Sequence, residues 1–376
     1  MTFSSLSFFN NDKPDTGSNT IGHIAEQCDL RLPNLDALGL GRAIELASGL
    51  KAPGLGADPQ GLGGAATEVS KGKDTPSGHW DLAGVPVPWE WHYFPKETPA
   101  FPDHVMAEIQ RLAGTEGTLS NAHASGTAVI DELGAEHLKT GWPICYTSVD
   151  SVLQIAAHED HFGLERLLTL CRELAPMLHD MKVGRVIARP FVGTPGHFTR
   201  TANRRDFAIQ PPSPTLCDWV SGAGGRVHAV GKFGDFFSLQ GIDDVEKGPD
   251  AKLMEHLVNL TETAEPQSLT FANFVEFDTN FGHRRDVQGY AGALEWFDAQ
   301  LPRLFANLGE GDLMIFTADH GNDPTWIGTD HTRERVPVLG YGLGCKSIGQ
   351  VGFADIGASI AAHLGLTERG AGQSFL

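Results

Sequence analysis

Short apolar runs alternate along the chain with longer segments in which apolar residues recur every three or four positions. The short runs, rich in β-branched and aromatic residues, lie in PICYTSVDS, GRVIARPFVG, VHAVGKFGD, FANFVEFDTNFGH, DLMIFTADHG and VPVLGYG. The longer segments include HFGLERLLTLCRELAPMLHD and YAGALEWFDAQLPRLFANL, which have the spacing of amphipathic helices. Buried strands that alternate with helices predict an α/β fold built on a parallel or mixed sheet.

Polar loops carrying Asp, His, Arg or Lys follow the predicted strands. In α/β folds ligands bind beyond the carboxyl ends of the strands, so these loops are expected to form the functional site. Two proline-rich stretches, Gly84–Pro102 and Gln210–Thr215, interrupt the pattern and suit crossings between domains. At 376 residues the chain is too long for one ordinary core. We therefore predict a discontinuous core, residues 1–89 and 215–376, with an inserted cap, residues 90–214.

The composition of the chain disfavours nucleic acids and membranes as binding partners of this protein. A formal net charge of −19 disfavours nucleic acid, and the chain lacks an apolar run of the roughly 20 residues that a membrane span needs. The five cysteines are scattered, without a C-x-x-C pair, which indicates neither a disulfide framework nor a structural zinc site and favours a cytoplasmic setting. The richest basic patch, FTRTANRRDF, lies close to Arg189. It is either a small-anion site or an ordinary solvated loop.

Carboxylates and imidazoles cluster after two of the predicted strands. Asp278 and His283 follow FANFVEF, Asp319 and His320 follow LMIFT, and His331 lies in the next loop. One such pair is more often structural than a ligand pair, but convergence of all these residues favours metal binding. Mixed carboxylate and imidazole ligands suit Mn²⁺, Zn²⁺ or Fe²⁺, and this number of ligands suits two metals bound close together.

A hydroxyl nucleophile is a further candidate. Thr75 lies in the glycine-containing segment KGKDTPSGHWDLAG. A hydroxyl beside a divalent cation loses its proton more readily, which makes threonine a competent phosphoryl acceptor. Without that setting, Thr75 is an ordinary loop residue.

Long ordered motifs across nearly the whole chain resemble those of the phosphopentomutases, two-metal enzymes of the alkaline phosphatase superfamily. They are GKDTPSGHW, ASGTAVIDELG, YTSVDSVLQIAAHE, GRVIARPFVGTPGHFTRTANR, VEFDTNFGHRRDVQGY and TADHGNDPTWIGTDHTRERVP. The resemblance implies an alkaline-phosphatase-like core, with a central mostly parallel sheet flanked by helices, and an inserted α/β cap. It also implies interconversion of (deoxy)ribose 1-phosphate and 5-phosphate, in nucleoside catabolism, through a phosphothreonine and a pentose 1,5-bisphosphate.

The resemblance further implies two Mn²⁺ ions, a sugar bisphosphate activator, a small-molecule pentose phosphate substrate and a chain that is monomeric or weakly oligomeric. Thr75 resembles the nucleophile. The residues that resemble ligands of one manganese are Asp278, His283 and His331, and those of the other are Asp319, His320 and Thr75.

Four residues resemble substrate-binding positions of that family. Asp150 resembles the cap residue that meets the sugar hydroxyls. Arg189 and Arg204 resemble the cap arginines that hold the distal phosphate, and Lys232 is a weaker candidate for the same role.

The N-terminus departs from the family. Phosphopentomutases open with an apolar strand ending in Asp-Ser-x-Gly-x-Gly, whose Asp ligates the metal of Asp319 and His320, whereas this chain opens MTFSSLSFFNNDKPDTGSNTIGHIAE. We expect FSSLSFF to take the position of that strand, which would bring Asn10, Asn11 or Asp12 nearest the metal. We therefore expect one weakened metal site.

Two alternative functions follow. One is a metal-dependent phosphatase or phosphoglycerate mutase of the same superfamily, which the cap motifs at Asp150 and Arg189 disfavour. The other is an impaired sugar-phosphate- or metal-binding protein, to which the altered N-terminus gives weight.

Overall fold

A computed structural model describes residues 15–148 and 150–376. The strands are β1 Leu62–Thr67, β2 Leu119–His123, β3 Ile144–Thr147, β4 Val152–His158, β5 Arg185–Thr194, β6 His197–Arg200, β7 Arg205–Ala208, β8 Val227–Val230, β9 Asp244–Glu246, β10 Leu269–Ala272, β11 Met314–Phe316, β12 Val336–Tyr341 and β13 Lys346–Gly352. The helices are α1 Thr20–Gln27, α2 Pro33–Leu38, α3 Leu40–Ser48, α4 Thr75–Leu82, α5 Asp103–Ala113, α6 Gly126–Thr140, α7 Leu164–Asp180, α8 Leu216–Gly222, α9 Phe233–Phe236, α10 Asp250–Thr263, α11 Val287–Phe305 and α12 Phe353–His363.

The chain divides into two compact units. One contains the described residues up to Pro88 together with Pro211–Leu376, and the other is Trp89–Gln210. The first, called the core unit below, holds β1 and β8–β13. The second, called the cap unit, holds β2–β7.

The strands of the core unit are hydrogen-bonded as two sheets. One has the order β10-β8-β9 and is parallel throughout. The other has the order β11-β12-β1-β13, in which β1 pairs antiparallel with β12 and parallel with β13. The predicted α/β class is confirmed. The described strands of the core unit are thus joined as a parallel sheet and a mixed sheet rather than as one continuous sheet.

Apolar residues of the core unit fill two clusters. One buries the inner faces of α1–α3, α10 and α11, including Ile24, Leu40 and Leu301. The other lies between the mixed sheet and helices α4 and α12, with Leu62 and Phe353 fully buried. Phe271 of β10 and Ile315 of β11 pack against this second cluster. Strands β10 and β11, which belong to different sheets, are therefore packed against the same apolar cluster.

The cap unit is one sheet with helices on both faces. Its order is β2-β3-β4-β5-β6, with β7 also paired to β5. Every residue of β4 is buried, and its side chains alternate between two clusters. Leu153 and Ile155 pack with residues of α5 and α7, while Ala156 packs with residues of α6. Burial on both faces explains why apolar residues occupy five of its seven positions.

Among the described residues, none of the helices combines the length and the apolar character that crossing a membrane requires. The predicted positions Asn10, Asn11 and Asp12 lie outside the described residues.

Candidate active site

Asp278 and His283 are brought together by a π-helical turn. The turn spans Phe277–Gly282, and the His283 N–H donates to the Asp278 carbonyl oxygen (3.0 Å). A bond between positions five apart places their side chains on one side of the turn. The Nε2 atom of His283 consequently lies 3.2 Å from Asp278 Oδ2. The sequence predicted only a loop here.

His331 completes this group from a different loop. Its Nε2 atom lies 3.2 Å from Asp278 Oδ1, the carboxylate oxygen that does not face His283. The ligand atoms of Asp278, His283 and His331 all lie within 4.8 Å of one another. One carboxylate between two imidazole nitrogens is a donor set suited to a divalent cation.

The histidines of the site share one orientation. His283 Nδ1 lies 2.6 Å from the Thr329 carbonyl oxygen, and His331 Nδ1 lies 2.8 Å from that of Lys73. His320 Nδ1 lies 3.1 Å from the carbonyl oxygen of Gly321. Because a carbonyl oxygen only accepts, each Nδ1 carries the proton and each Nε2 presents a lone pair. Metal-ligating histidines are commonly fixed in this way, so the residues fit a metal.

Asp319 and His320 form the second part of the cluster, beyond the end of β11. His320 Nε2 lies 3.3 Å from Asp319 Oδ2 and 3.4 Å from the Thr75 hydroxyl oxygen. The rings of His320 and His331 stack with centroids 3.7 Å apart, which joins the two parts of the cluster. All the predicted metal-ligating residues of the core unit, and Thr75, therefore meet in one place.

Thr75 is the first residue of α4. Asp74 caps this helix, its side chain accepting from the Ser77 N–H (3.2 Å), and Pro76 follows Thr75 in the first turn. Proline is tolerated there because its missing N–H would have no partner within the helix. The cap and the proline define where the helix begins, and so fix the half-buried Thr75 hydroxyl at its N-terminus.

The electrostatics keep both carboxylates ionised. Burial would raise the pKa of Asp319, but His320, His79 and His331 outweigh it and lower that pKa to about 2. Burial is likewise outweighed at Asp278, where the neighbouring imidazoles of His283 and His331 hold the pKa far below its usual range. Burial lowers the pKa of His320, whereas the adjacent Asp278 carboxylate raises the pKa of His283. Metal ligands must be deprotonated, so neutral pH suits this site.

Sequence reasoning missed the residues that hold the two loops together. Arg285 donates from Nε to the Gly328 carbonyl oxygen (2.7 Å) and from Nη2 to that of Asp330 (2.8 Å). Asn322 donates from Nδ2 to Asp278 Oδ1 (2.6 Å). These bonds tie the loop of His331 to the turn of Asp278. The only advance signal was their presence inside the motifs GHRRD and DHGND, where neither residue type suggests a ligand.

In the cap unit, Arg189 and Arg204 line one cavity of about 500 Å³, together with Arg200, Thr127 and Asp131 among others. Arg189 donates from Nε to Gln154 Oε1 (2.9 Å), and Arg204 makes a bidentate bond to Asp206 (2.6 Å each). Burial and the nearby guanidinium of Arg204 lower the pKa of Arg189. Clustered cations that repel one another are suited to binding an anion.

The other two predicted substrate-binding residues are not among the residues that line this cavity. Asp150 is half exposed, in the cap unit, and accepts from Arg185 Nη2 (3.2 Å). Lys232 is exposed in the core unit, at the N-terminus of α9. The core unit therefore contains a cluster of Asp and His side chains suited to metal binding, and the cap unit contains a cavity lined by arginines.

The fold and the site together define a metal-dependent enzyme. A model of the Metalloenzyme superfamily matches residues 232–368, a range that contains all the clustered Asp and His ligands. A phosphoglycerate mutase of Leishmania mexicana is similar over 45% of this chain and 40% of its own, with 20% identity and a TM-score of 0.36.

Full-length relatives define the family. The chain is 52% identical over 382 residues to a phosphopentomutase of Allorhizobium ampelinum, covering 96% of this chain and 94% of the relative. It is 52% identical over 381 residues to a phosphopentomutase of Chelativorans sp., covering 96% and 93%. The chain belongs to the phosphopentomutase family, and it is an isomerase that acts by phosphoryl transfer.

Proposed function

We propose that the chain interconverts ribose or deoxyribose 1-phosphate and 5-phosphate through a phosphorylated Thr75. The observation that carries this proposal is the position of the Thr75 hydroxyl, 3.4 Å from His320 Nε2 inside a cluster of metal ligands. Metal coordination activates a hydroxyl as a nucleophile and two metal ions assist phosphoryl transfer, so this position supports a catalytic role for Thr75. The names of relatives at 52% identity support pentose phosphates as the substrate class.

Two Mn²⁺ ions would bind the cluster. Asp278, His283 and His331 would hold one, and Asp319 and His320, with the Thr75 hydroxyl, the other. When bound, two divalent cations neutralise charge on a transferring phosphoryl group and favour ionisation of the attacking hydroxyl. The fixed Nε2 atoms and ionised carboxylates described above are the chain's contribution to that binding.

The cycle begins with phosphorylated Thr75. The phosphoryl group passes to the free hydroxyl of a bound pentose monophosphate as the bond from phosphorus to the Thr75 oxygen breaks. The proton that the sugar hydroxyl loses ends on the Thr75 oxygen. The product is a pentose 1,5-bisphosphate, which turns within the site and returns its other phosphoryl group to Thr75. A sugar bisphosphate would supply the first phosphoryl group as activator.

The arginine cavity of the cap unit would hold the phosphate that is not reacting. Arg189 and Arg204 can grip a phosphate through paired N–H donors, and such a grip accepts either phosphate of the bisphosphate in turn. Asp150 would accept hydrogen bonds from sugar hydroxyls, and Lys232 would assist with the phosphate charge.

The experiment is a turnover assay on Mn²⁺-loaded protein with ribose 5-phosphate and a trace of ribose 1,5-bisphosphate, followed by phosphorus NMR. Formation of ribose 1-phosphate supports the proposal. Release of free phosphate alone would indicate a phosphatase, and turnover of 3-phosphoglycerate in a parallel reaction would indicate a phosphoglycerate mutase. Thr75→Val, which keeps the shape of the side chain without the hydroxyl, is the matched control.

A further inference from the structure

His79 is a buried imidazole that the mechanism above does not use. It lies on α4, one turn after Thr75, and only 3% of it is exposed. Its Nδ1 atom lies 2.8 Å from the backbone carbonyl oxygen of Thr75 and 3.1 Å from Asp319 Oδ2. Both neighbours are acceptors, so Nδ1 carries a proton that faces both. One N–H thus reaches the backbone of the nucleophile and the carboxylate of a predicted metal ligand.

The opposite nitrogen of the ring has its own neighbour. His79 Nε2 lies 3.4 Å from Nδ2 of Asn273, the residue that follows β10. The Asn273 N–H donates to the Val230 carbonyl oxygen (2.8 Å), which anchors this residue to the parallel sheet. An amide N–H donor towards Nε2 is consistent with a proton on Nδ1. The contact also links α4 to the end of β10.

Aromatic side chains restrict the ring. The centroids of Phe236 and Phe233 lie 4.8 Å and 5.6 Å from that of His79, and Phe271 lies 6.3 Å away. Apolar walls prevent water from competing for the Nδ1 proton, and a hydrogen bond in such surroundings is stronger than one in water. The ring is therefore held with its donor towards Asp319.

The first turn of α4 also approaches Asp319 directly. A Cβ atom added to Gly78 would lie 2.0 Å from the backbone oxygen of Asp319. Only glycine permits this approach, which brings the next residue, His79, within hydrogen-bonding distance of the carboxylate. Asp319 is therefore contacted twice by α4, through its backbone at Gly78 and through its carboxylate at His79.

We propose that His79 is a positioning residue that couples Thr75 to Asp319. Its single N–H orients Oδ2 of the Asp319 carboxylate and fixes the carbonyl of Thr75, so the nucleophile and the metal ligand keep one relative geometry. The inference rests on the roles proposed for Thr75 and Asp319. Partners that orient metal ligands typically change metal affinity by roughly 10- to 100-fold when they are lost.

The test compares His79→Phe, which keeps an aromatic ring without the donor, with His79→Asn, whose amide can replace the Nδ1 donor. Mn²⁺ is titrated calorimetrically, without substrate, into variants that also carry His283→Ala, so that the site of Asp319 and His320 is measured alone. We expect His79→Phe to weaken this site by roughly 10- to 100-fold, and His79→Asn to recover part of the loss. With His283 intact, kcat should fall for His79→Phe while KM for the pentose phosphate stays within about twofold.

His137→Phe is the matched control. That histidine is also buried and its Nδ1 atom bonds a backbone carbonyl oxygen, of Trp142 at 2.6 Å, but it lies in the cap unit. Mn²⁺ affinity should not change in this control.

Two results would overturn the inference, and they differ in kind. A folded His79→Phe protein with wild-type Mn²⁺ affinity at the Asp319 site overturns this inference alone. A wild-type chain that binds no Mn²⁺ overturns the proposed function and this inference with it. Melting curves recorded without metal establish that each variant is folded.

Discussion

The hydroxyl oxygen of Thr75 lies 3.4 Å from Nε2 of His320, although 245 positions separate the two residues in the chain. Thr75 begins a helix, whereas His320 follows an edge strand of the mixed sheet, so the contact exists only in the folded core unit. This pair joins the predicted nucleophile to the predicted metal ligands.

Thr75→Ala should abolish mutase activity and leave the fold intact, because a half-buried hydroxyl at the start of a helix contributes little to stability. Intact-mass measurement after incubation with a sugar bisphosphate should reveal a phosphate adduct on the wild-type protein and none on the variant. Ser77→Ala, two residues further along the same helix, serves as the control and should retain the adduct. An adduct that persists on Thr75→Ala would show that another residue accepts the phosphoryl group.

Mn²⁺ should bind at two unequal sites. Asp278, His283 and His331 form a complete group, whereas within the described part of the chain the other site has Asp319, His320 and a hydroxyl. At 100 times its dissociation constant a ligand stabilises the folded state by about 2.7 kcal/mol, so a chelator should lower the melting temperature measurably. His331→Ala should remove the tighter site, and the surface variant His363→Ala should not. Two equally tight sites in a calorimetric titration would contradict the expected weakness.

Arg189→Ala should raise KM and leave the metal content unchanged. Within the described residues its guanidinium makes one hydrogen bond, from Nε to Gln154, so the terminal nitrogens can meet a phosphate. A hydrogen bond to a charged group is worth about 1.5–3 kcal/mol, which corresponds to a loss of roughly 10- to 150-fold in kcat/KM. Arg111→Ala, on the exposed surface of the same unit, is the control. Manganese lost together with activity would argue against a phosphate-binding role.

Gly78→Ala should destabilise the protein by about 1–3 kcal/mol, since the new methyl group would overlap the Asp319 backbone oxygen. The matched variant is Gly292→Ala in α11, where an added Cβ meets nothing within 4 Å. Alanine is the better helix former there, so stability should rise by up to about 1 kcal/mol. Chemical denaturation of both variants measures the contrast, and equal stability of Gly78→Ala and wild type would be inconsistent with the close approach.

Glu334 should make stability depend on pH. Its carboxylate accepts from the Thr20 N–H (2.8 Å) and from the Thr332 hydroxyl (2.7 Å), and burial raises its pKa to about 7. A raised pKa means that the stabilisation is complete below the unfolded value, about 4.5, and is lost as the pH rises through 7. Between pH 5 and pH 8, Glu334→Gln should therefore gain on the order of 2–3 kcal/mol relative to wild type in the free energy of unfolding.

Denaturant titrations of metal-free protein at the two pH values measure this difference. The control is Glu255→Gln, whose exposed carboxylate pairs with Arg303. That ion pair lowers the pKa of Glu255, so its charge is constant over this range. A Glu334→Gln profile parallel to that of wild type would show that Glu334 does not titrate between pH 5 and pH 8.

Strands and helices with a strong apolar period were predictable. The runs VIARPF and VHAV form β5 and β8, and the two amphipathic segments form α7 and α11, because side-chain burial and local propensity agree there. β1 was missed since its sequence, LGGAAT, is poor in β-branched residues. A side chain at Gly64 would meet Ile348 at 2.4 Å, so small residues are required where this strand lies between two neighbours.

The ligand residues were predictable from residue type and motif, but the groups that orient them were not. The π-helical geometry that aligns Asp278 with His283 leaves no periodic signal in six residues. Two of the histidines are oriented by the backbone carbonyl oxygens of Lys73 and Thr329. Every residue has such an oxygen, so the sequence does not indicate which of them will contact a histidine. His79 was visible only as a neighbour of Thr75, since its contact with Asp319 depends on tertiary structure.

The discontinuous layout of the core unit has a consequence for synthesis on the ribosome. Glu334 holds Thr20 across 314 positions, and β1 lies between β12 and β13 near the other end of the chain. Every sheet partner of the cap unit, by contrast, lies between residues 119 and 208. Domains fold as units once their residues have emerged from the ribosome. The cap unit can therefore complete its sheet before β12 and β13, the two sheet partners of β1, have been synthesised. The core unit, which contains the predicted metal ligands, therefore stays incompletely folded in the nascent chain until translation is almost over.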